Sequence, residues 1–199
     1  MTNLLDPTIE EKIKNEVIKL LSTGRTDWDI RHTLKTVDWI KMLIEKEGGN
    51  ERTLVPAMYF HDTGYEELKK GYSHEECLAA KKDHGIKGAK NAENFLPTLD
   101  YFTPEEIERI CYLVLNHDIH NNVTEADRQL ILEADGLGQI DWYNCKPSYD
   151  KENCLKFLNT TFKDDRINYV KTETGKKYYA ELLEKAYEYL EDDNNFSKK

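Results

Sequence analysis

Apolar side chains recur along this chain at the three- and four-residue spacing that brings them to one face of an α-helix. The first stripe runs from Ile9 to Leu21, and the preceding Asp6-Pro7 fits a helix N-cap followed by proline in the first turn. The same spacing predicts further helices over these stretches: about 29–46, 53–62, 84–95, 104–117, 125–137, 150–163 and 174–191.

Capping residues predict where two of these helices begin. Thr103, followed by Pro104 and Glu106, predicts a capping box, and Thr124 is predicted to cap the helix after it. No stretch alternates as a β-strand does, and no repeat or linker interrupts the pattern. The sequence therefore predicts one all-α domain over residues 1–199, with C-terminal helices over 143–191 and a polar, frayed tail over 192–199.

The composition of the chain disfavours nucleic acid and membranes as binding partners. The chain has 199 residues, of which 33% are charged, and its formal net charge of −10 comes without any Lys/Arg-rich block. We therefore expect no nucleic-acid polymer as partner, because such binding needs cations to neutralise phosphates. No apolar run is long enough to span a membrane, the N-terminal residues do not resemble a signal peptide, and the four cysteines form no C-x-x-C pair. We expect a cytoplasmic protein with reduced thiols and no membrane partner, and a homodimer is compatible with this composition.

The candidate chemistry lies in histidines and aspartates beside apolar runs. Four of the six histidines lie on or next to predicted core helices, whereas His74 and His120 are interpreted as surface residues. Asp62 and Asp135 each follow an apolar run, and carboxylates are seldom buried unless they are paired or bind a metal. Imidazole and carboxylate ligands without cysteine favour Mn, Fe, Co, Ni or catalytic Zn, and permit Mg. The core histidines are His32, His61, His84 and His117.

The order of these residues resembles that of a known family. His32, then His61-Asp62, then Asp135 resembles the H…HD…D signature of the HD-domain superfamily of metal-dependent phosphohydrolases, over roughly residues 25–142. Five local contexts resemble that family in the same order: RHTLKTVDW, AMYFHDTG, HGIKGAKNAENFL, LVLNHDIH and LILEADGL. The resemblance implies an HD-domain-like helical bundle with a metal site between its helices, held by His32, His61, Asp62 and Asp135.

The resemblance also implies roles around that site. Asp62 and Asp135 would take part in catalysis, and Glu66 is the candidate acid after the HD pair because the position before it is a tyrosine. His84 and His117 would either hold a second ion with Asp62 or bind the substrate. We expect one firmly held ion, with these two histidines facing the substrate. Lys35, one helical turn after His32, would bind a substrate phosphate.

One departure from the family concerns the residues after Asp135. Many members carry a charged residue there, whereas this chain has Gly136 and Gly138. A substrate contact from this stretch is therefore not expected. Asp118, which forms a second His-Asp pair with His117, is interpreted as a chance neighbour.

Three functions fit the ligand pattern. The first is a metal-dependent phosphohydrolase acting on a phosphate ester or anhydride of a small metabolite, nucleotides included. The second is a di-iron oxygenase of the related mixed-valent iron group, which the order of ligands also resembles. The third is a non-catalytic metal-binding signalling module, which the complete ligand set disfavours. Ligand type alone does not separate the first two, because it does not set the reaction.

Overall fold

The computed structural model describes residues 3–25, 28–66, 68 and 74–196. Within these residues all the regular secondary structure is helical, which confirms the predicted all-α class. Eight α-helices make up the bundle: α1 Pro7–Leu21, α2 Asp29–Glu47, α3 Glu51–Phe60, α4 His74–Phe95, α5 Pro104–Leu115, α6 Ala126–Ile140, α7 Lys151–Phe157 and α8 Glu173–Glu191. Short 3₁₀ turns and one π-helical segment, Leu158–Lys163, connect or extend them. In the described part of the chain, no helix combines the length and apolarity that crossing a bilayer requires.

Two predicted helix starts are confirmed and one is wrong. The Asp6 carboxylate accepts hydrogen bonds from the first turn of α1, and Thr103 forms the capping box of α5 with Glu106. The predicted Thr124 cap is not formed, because the N-cap position of α6 is Glu125, which makes no capping hydrogen bond. The Glu125 carboxylate instead accepts hydrogen bonds from Arg109 and from the Tyr112 hydroxyl.

Helix α3 lies at the centre of the bundle. Every residue from Thr53 to Phe60 is buried, and α3 packs against α1, α2, α4, α5 and α6. This position explains why α3 is apolar on all sides, since a helix surrounded by others has no face left for water. Helices α2 and α6 pack along each other, as do α4 and α5. The ends of α3 and α5, the start of α2 and the middle of α6 therefore meet near one point.

The C-terminal part is tied to this bundle by a buried carboxylate. Glu133 in α6 is fully buried and accepts hydrogen bonds from the Lys171 and Thr172 backbone N–H groups, at 2.8 and 3.0 Å. These bonds anchor the start of α8. The described part of the tail is not frayed as predicted: Asp193–Asn195 form a 3₁₀ turn, and the Phe196 ring packs on Tyr189. Residues 197–199 of that predicted tail lie outside the described residues.

Candidate metal centre

The structure brings together all six buried donors that the sequence singled out. His32 lies near the start of α2, His61 and Asp62 directly follow α3, and Asp135 lies in α6. The other two are His84 in the middle of α4 and His117 just after α5. None of the six is more than 8% exposed. A buried cluster of imidazoles and carboxylates that could bind a metal ion is therefore present between the helices, as predicted.

The first group of donors is centred on one oxygen of Asp62. The Nε2 atoms of His32 and His61 lie 3.3 Å apart, and they lie 3.7 and 3.6 Å from Asp62 Oδ2. Asp135 Oδ1 lies 3.0 Å from His32 Nε2 and 3.7 Å from His61 Nε2. His32, His61 and Asp62 thus lie close enough together to hold one ion, and Asp135 approaches this group from the side of the two histidines.

The second group uses the other oxygen of Asp62. His84 Nε2 and His117 Nε2 lie 3.8 and 3.7 Å from Asp62 Oδ1. These two imidazole nitrogens are 3.1 Å from each other. Asp62 is therefore placed as a carboxylate shared between two donor groups, with one oxygen directed to each.

The spacing of the donors fits a metal ion. With metal–ligand bonds of about 2.1 Å, neighbouring donors lie about 3.0 Å apart in octahedral and about 3.4 Å apart in tetrahedral coordination. The separations that involve a histidine nitrogen run from 3.0 Å, between His32 and Asp135, to 3.8 Å, between His84 and Asp62. Both groups therefore approach the spacing of ligands around one ion.

Three of the histidines are held by the same contact. The Nδ1 atoms of His61, His84 and His117 lie 2.6–2.7 Å from the backbone carbonyl three residues earlier in each case. A carbonyl oxygen can only accept a hydrogen bond, so each Nδ1 carries the proton. The lone pair of each neutral ring is then on Nε2, directed into the cluster, which is the usual arrangement of a metal-binding histidine.

This arrangement leaves lone pairs facing each other. His84 Nε2 and His117 Nε2 cannot hydrogen bond when both rings are neutral, because each has committed its proton to a carbonyl. A proton or a cation must lie between them. The remaining ring, His32, stacks on Trp28 with 5.2 Å between centroids, and its buried Nδ1 has no hydrogen-bond partner within the described residues.

The charges of the cluster suit a cation. Burial alone would raise the pKa of Asp62 and of Asp135, but the adjacent imidazoles hold both pKa values well below the usual range. Burial lowers the pKa of His61 to about 4. Burial would also lower the pKa of His117, but its interaction with the Asp62 carboxylate raises that pKa to about 9. In the protein alone the cluster thus attracts a proton onto His117, at a position where a metal ion would displace it.

Two glycines of α6 allow neighbouring helices to pack closely beside the site, Gly138 against α2 and Gly136 against α8. A Cβ atom on Gly138 would lie 2.3 Å from Thr36 Cγ2 and 3.4 Å from His32 Nδ1. A Cβ atom on Gly136 would lie 1.5 Å from the Tyr179 hydroxyl oxygen. The residues after Asp135 thus allow close packing around the site.

Five of the six donors, all except His61, line a cavity of about 1010 Å³. Its walls come from the residues before α2, the first half of α4, and the segment after α6. Residues from these walls include Arg25, Trp28, Lys81, Tyr149, Lys156, Phe157, Thr160, Thr161 and Arg166. The cavity joins the candidate metal ligands to aromatic and cationic side chains.

Two predicted site residues lie elsewhere. Among the described residues, neither Lys35 nor Glu66 belongs to the lining of this cavity. The Lys35 ammonium pairs with Asp38 at 2.9 Å, and the Glu66 carboxylate accepts a hydrogen bond from the Asn91 amide at 3.3 Å. Helical spacing suggested Lys35 and the family resemblance suggested Glu66, and each pairs with a side chain that is not one of the six donors.

Other residues at the site were missed or misinterpreted. Asp118 lines the cavity and lies 3.7 Å from Lys81, from Arg166 and from His120, so it is more than a chance neighbour of His117. The His120 side chain is only 18% exposed, which corrects its interpretation as a surface residue. The side chain of His74 lies outside the described residues. Nothing in the helical pattern distinguished these positions, because their role comes from contacts between distant segments.

A second missed residue is Arg25. Its guanidinium donates to both oxygens of the buried Asp29, at 3.0 and 2.6 Å, and lies over the Tyr65 ring at 3.7 Å. The other face of Tyr65 stacks on His84. Arg25 thus supports the wall of the cavity next to the second donor group.

Comparisons of the chain with protein-family models, with curated proteins and with solved structures found no match. Function is therefore inferred from the donors, the cavity and the charges around them.

Proposed function

We propose that this protein is a metal-dependent phosphohydrolase acting on a small phosphorylated metabolite, as its resemblance to the HD-domain superfamily implies. The observation that carries the proposal is the pair of buried donor groups that share Asp62 on the floor of a large cavity. Buried carboxylates and imidazoles from five helical regions need a common cation to offset the cost of their burial. The open volume above them leaves room for a substrate.

The residues divide into two sets of ligands. His32, His61, Asp62 and Asp135 would hold one divalent ion, and Asp62, His84 and His117 would hold a second. The separate directions of the two Asp62 oxygens favour two ions over the single ion expected from the sequence. Nitrogen and carboxylate ligands without sulfur suit Mn, Fe, Co, Ni or Zn, and Mg is compatible with the carboxylates.

The chemistry divides between the ions and the chain. Bound divalent ions would supply a water nucleophile of lowered pKa and would polarise the phosphoryl oxygens. Asp62 would orient both sets of ligands through its two oxygens. Of the two carboxylates considered for accepting a proton, Asp135 lines the cavity, and Glu66 lies outside its described lining. We therefore assign proton acceptance to Asp135.

The charge of the cavity favours an anionic substrate. Lys81 and Arg166 both line it, near the candidate ligands. An acidic protein of net charge −10 would otherwise repel a phosphate, so local cations are required. The two cationic side chains in the cavity therefore favour a phosphohydrolase over an oxygenase that acts on a neutral polyol.

The test begins with metal analysis of the purified protein by inductively coupled plasma mass spectrometry. Protein loaded with Mn, Co, Ni, Zn or Mg is then assayed for phosphate release from a panel of phosphorylated metabolites. Iron-loaded protein is assayed in parallel for oxygen uptake. We expect metal-dependent phosphate release; oxygen uptake with an organic substrate and no phosphate release under any loading would reject the proposal.

A further inference from the structure

One wall of the cavity is built by an irregular segment that lies outside the HD-like region. Helix α7 runs into the π-helical turn Leu158–Lys163 and then into the 3₁₀ turn Arg166–Tyr169. Phe157, Thr160 and Thr161 of this segment line the cavity together with Arg166. π-helical turns are rare and occur frequently at functional sites. This wall is therefore a candidate for substrate recognition.

Arg166 is the charged residue of that wall closest to the donors. It is 9% exposed, and its Nη1 and Nη2 atoms lie 3.7 Å from Asp135 Oδ2 and from Asp118 Oδ1. The Phe162 ring lies 5.4 Å from the guanidinium carbon. Both carboxylate distances are too long for hydrogen bonds.

Two ion pairs thus fix the position of the guanidinium, but they do not use its hydrogen-bond donors. Within the described residues, Arg166 has ion-pair partners but no hydrogen-bond acceptor. The guanidinium carries five N–H donors, and none of its nitrogen atoms is sealed off from the cavity that Arg166 lines, so these donors are open to a molecule that enters. Donors that face a cavity beside a metal centre are suited to bind the oxygens of an entering anion. Arg is also the residue best matched to phosphate, because its planar fork can donate two parallel hydrogen bonds.

We propose that Arg166 binds a terminal phosphoryl oxygen of the substrate, and that the substrate is accordingly a phosphomonoester. This inference rests on the proposed function. Arg166 lies beside Asp135, so its guanidinium is next to the first set of metal ligands, where the reacting phosphate would lie. Asp118 holds the guanidinium from the other side and acts as a positioning residue.

The number of unesterified oxygens favours a monoester over a diester. A phosphomonoester presents three such oxygens, which can meet two ions and one guanidinium at the same time. A phosphodiester presents only two, so one of these three partners would remain without an oxygen. Two divalent ions would also outweigh the charges of Asp62 and Asp135 by two positive charges, which suits a dianion.

The first experiment measures binding of inorganic phosphate to the metal-loaded full chain by isothermal titration calorimetry. Arg166→Ala should weaken phosphate binding at least tenfold, because it removes charge-assisted hydrogen bonds. Lys163→Ala is the matched control: it removes a cation from the same segment at an exposed position and should leave the affinity unchanged. Metal content, measured on the same samples, should be equal in all proteins. Phosphate affinity that is unchanged in Arg166→Ala, or absent in wild type, overturns the inference.

The second experiment compares a monoester with a diester. In Arg166→Ala, kcat/KM for p-nitrophenyl phosphate should fall about 10- to 100-fold. The rate with bis-p-nitrophenyl phosphate should change less than about threefold, since the diester cannot use the guanidinium in addition to both ions. Guanidinium chloride at low millimolar concentration should restore part of the monoester activity, which a purely structural role for Arg166 would not allow. An equal loss on both esters overturns the assignment to monoesters.

The outcomes separate this inference from the proposed function. Wild-type protein that binds phosphate but hydrolyses no ester under any metal loading would reject the hydrolase, while the phosphate affinities would still decide the role of Arg166. If Arg166→Ala does not fold, Arg166→Lys takes its place, because it keeps the charge between Asp118 and Asp135. Lysine lacks the planar fork, so wild-type phosphate affinity in Arg166→Lys would overturn the inference.

Discussion

Replacing Gly138 by alanine tests whether close packing of α2 on α6 builds the first set of metal ligands. The added Cβ would lie 2.3 Å from Thr36 Cγ2, whereas carbon atoms pack at about 3.5–4.0 Å. The two helices must therefore separate, or Thr36 must move, by roughly 1.2 Å or more. His32 lies on α2 and Asp135 on α6, so a separation would lengthen their 3.0 Å contact.

The expected loss of stability follows from this overlap. Overpacking a buried contact typically costs about 1–3 kcal/mol. For a chain of this size, that loss lowers the melting temperature by about 2–4 °C per kcal/mol. Thermal unfolding followed by circular dichroism in the presence of a chelator measures this loss without any contribution from bound metal.

A second substitution gives the control. Thr36→Ser removes the Cγ2 atom that alanine at position 138 would meet, and it keeps the hydroxyl that donates to the Thr33 carbonyl at 2.8 Å. The double variant Gly138→Ala, Thr36→Ser should recover much of the stability lost by Gly138→Ala alone. Subtracting the effect of Thr36→Ser alone from this recovery gives the coupling energy of a double-mutant cycle, which isolates this one contact.

Metal titration measures whether the packing of α2 on α6 affects the affinity of the candidate metal site. Gly138→Ala should weaken binding at the set that includes His32 and Asp135, and should affect the set formed by His84 and His117 less. Thr36→Ser in the same chain should restore the weakened binding. A Gly138→Ala protein with wild-type stability, or a double variant no better than the single one, would refute the reasoning.

Three further predictions test other parts of the molecule. Asp62→Asn should weaken metal binding at both donor groups, because one oxygen of Asp62 faces each group. The exposed control Asp38→Asn should keep the wild-type metal-to-protein ratio, which mass spectrometry measures. Glu133→Ala should lower the free energy of unfolding by about 2–4 kcal/mol in urea titrations, since two backbone N–H groups lose their buried acceptor. A loss under about 0.5 kcal/mol would contradict this anchor for α8. Burial raises the pKa of the Cys145 thiol to about 12 and that of the Cys154 thiol to about 11. Both thiols should therefore stay protonated at about pH 8 and react with a thiol reagent only after unfolding. Fast labelling of either thiol in the native protein would contradict this prediction.

Local physical chemistry made much of this fold predictable. The apolar stripes, the Asp6 cap and the Thr103 capping box depend on residues within one or two turns, so they appear in the sequence. The same reasoning located the six donors, because an acidic or imidazole side chain next to a long apolar run must be buried with a partner. The Thr124 cap failed because the conformation around Glu125 depends on Arg109 and Tyr112, on another helix.

Side-chain partners explain why the role of Lys35 was predicted from the sequence and why Arg166 was missed. Lys35 lies one turn from His32, but the ammonium is directed to Asp38, and a helical spacing does not specify which carboxylate a flexible lysine will meet. Arg166 lies in a segment without a clear stripe, and only the packing of the π-helical turn brings it beside Asp118 and Asp135.

The order of residues was enough to predict the all-α class and to name the candidate ligands. The division of these ligands into two groups became visible only in the packed bundle. One oxygen of Asp62 faces His32 and His61, and the other faces His84 and His117. That division depends on the angles between α2, α3, α4 and α5, which follow from side-chain packing across the whole bundle and not from the order of residues along any one helix.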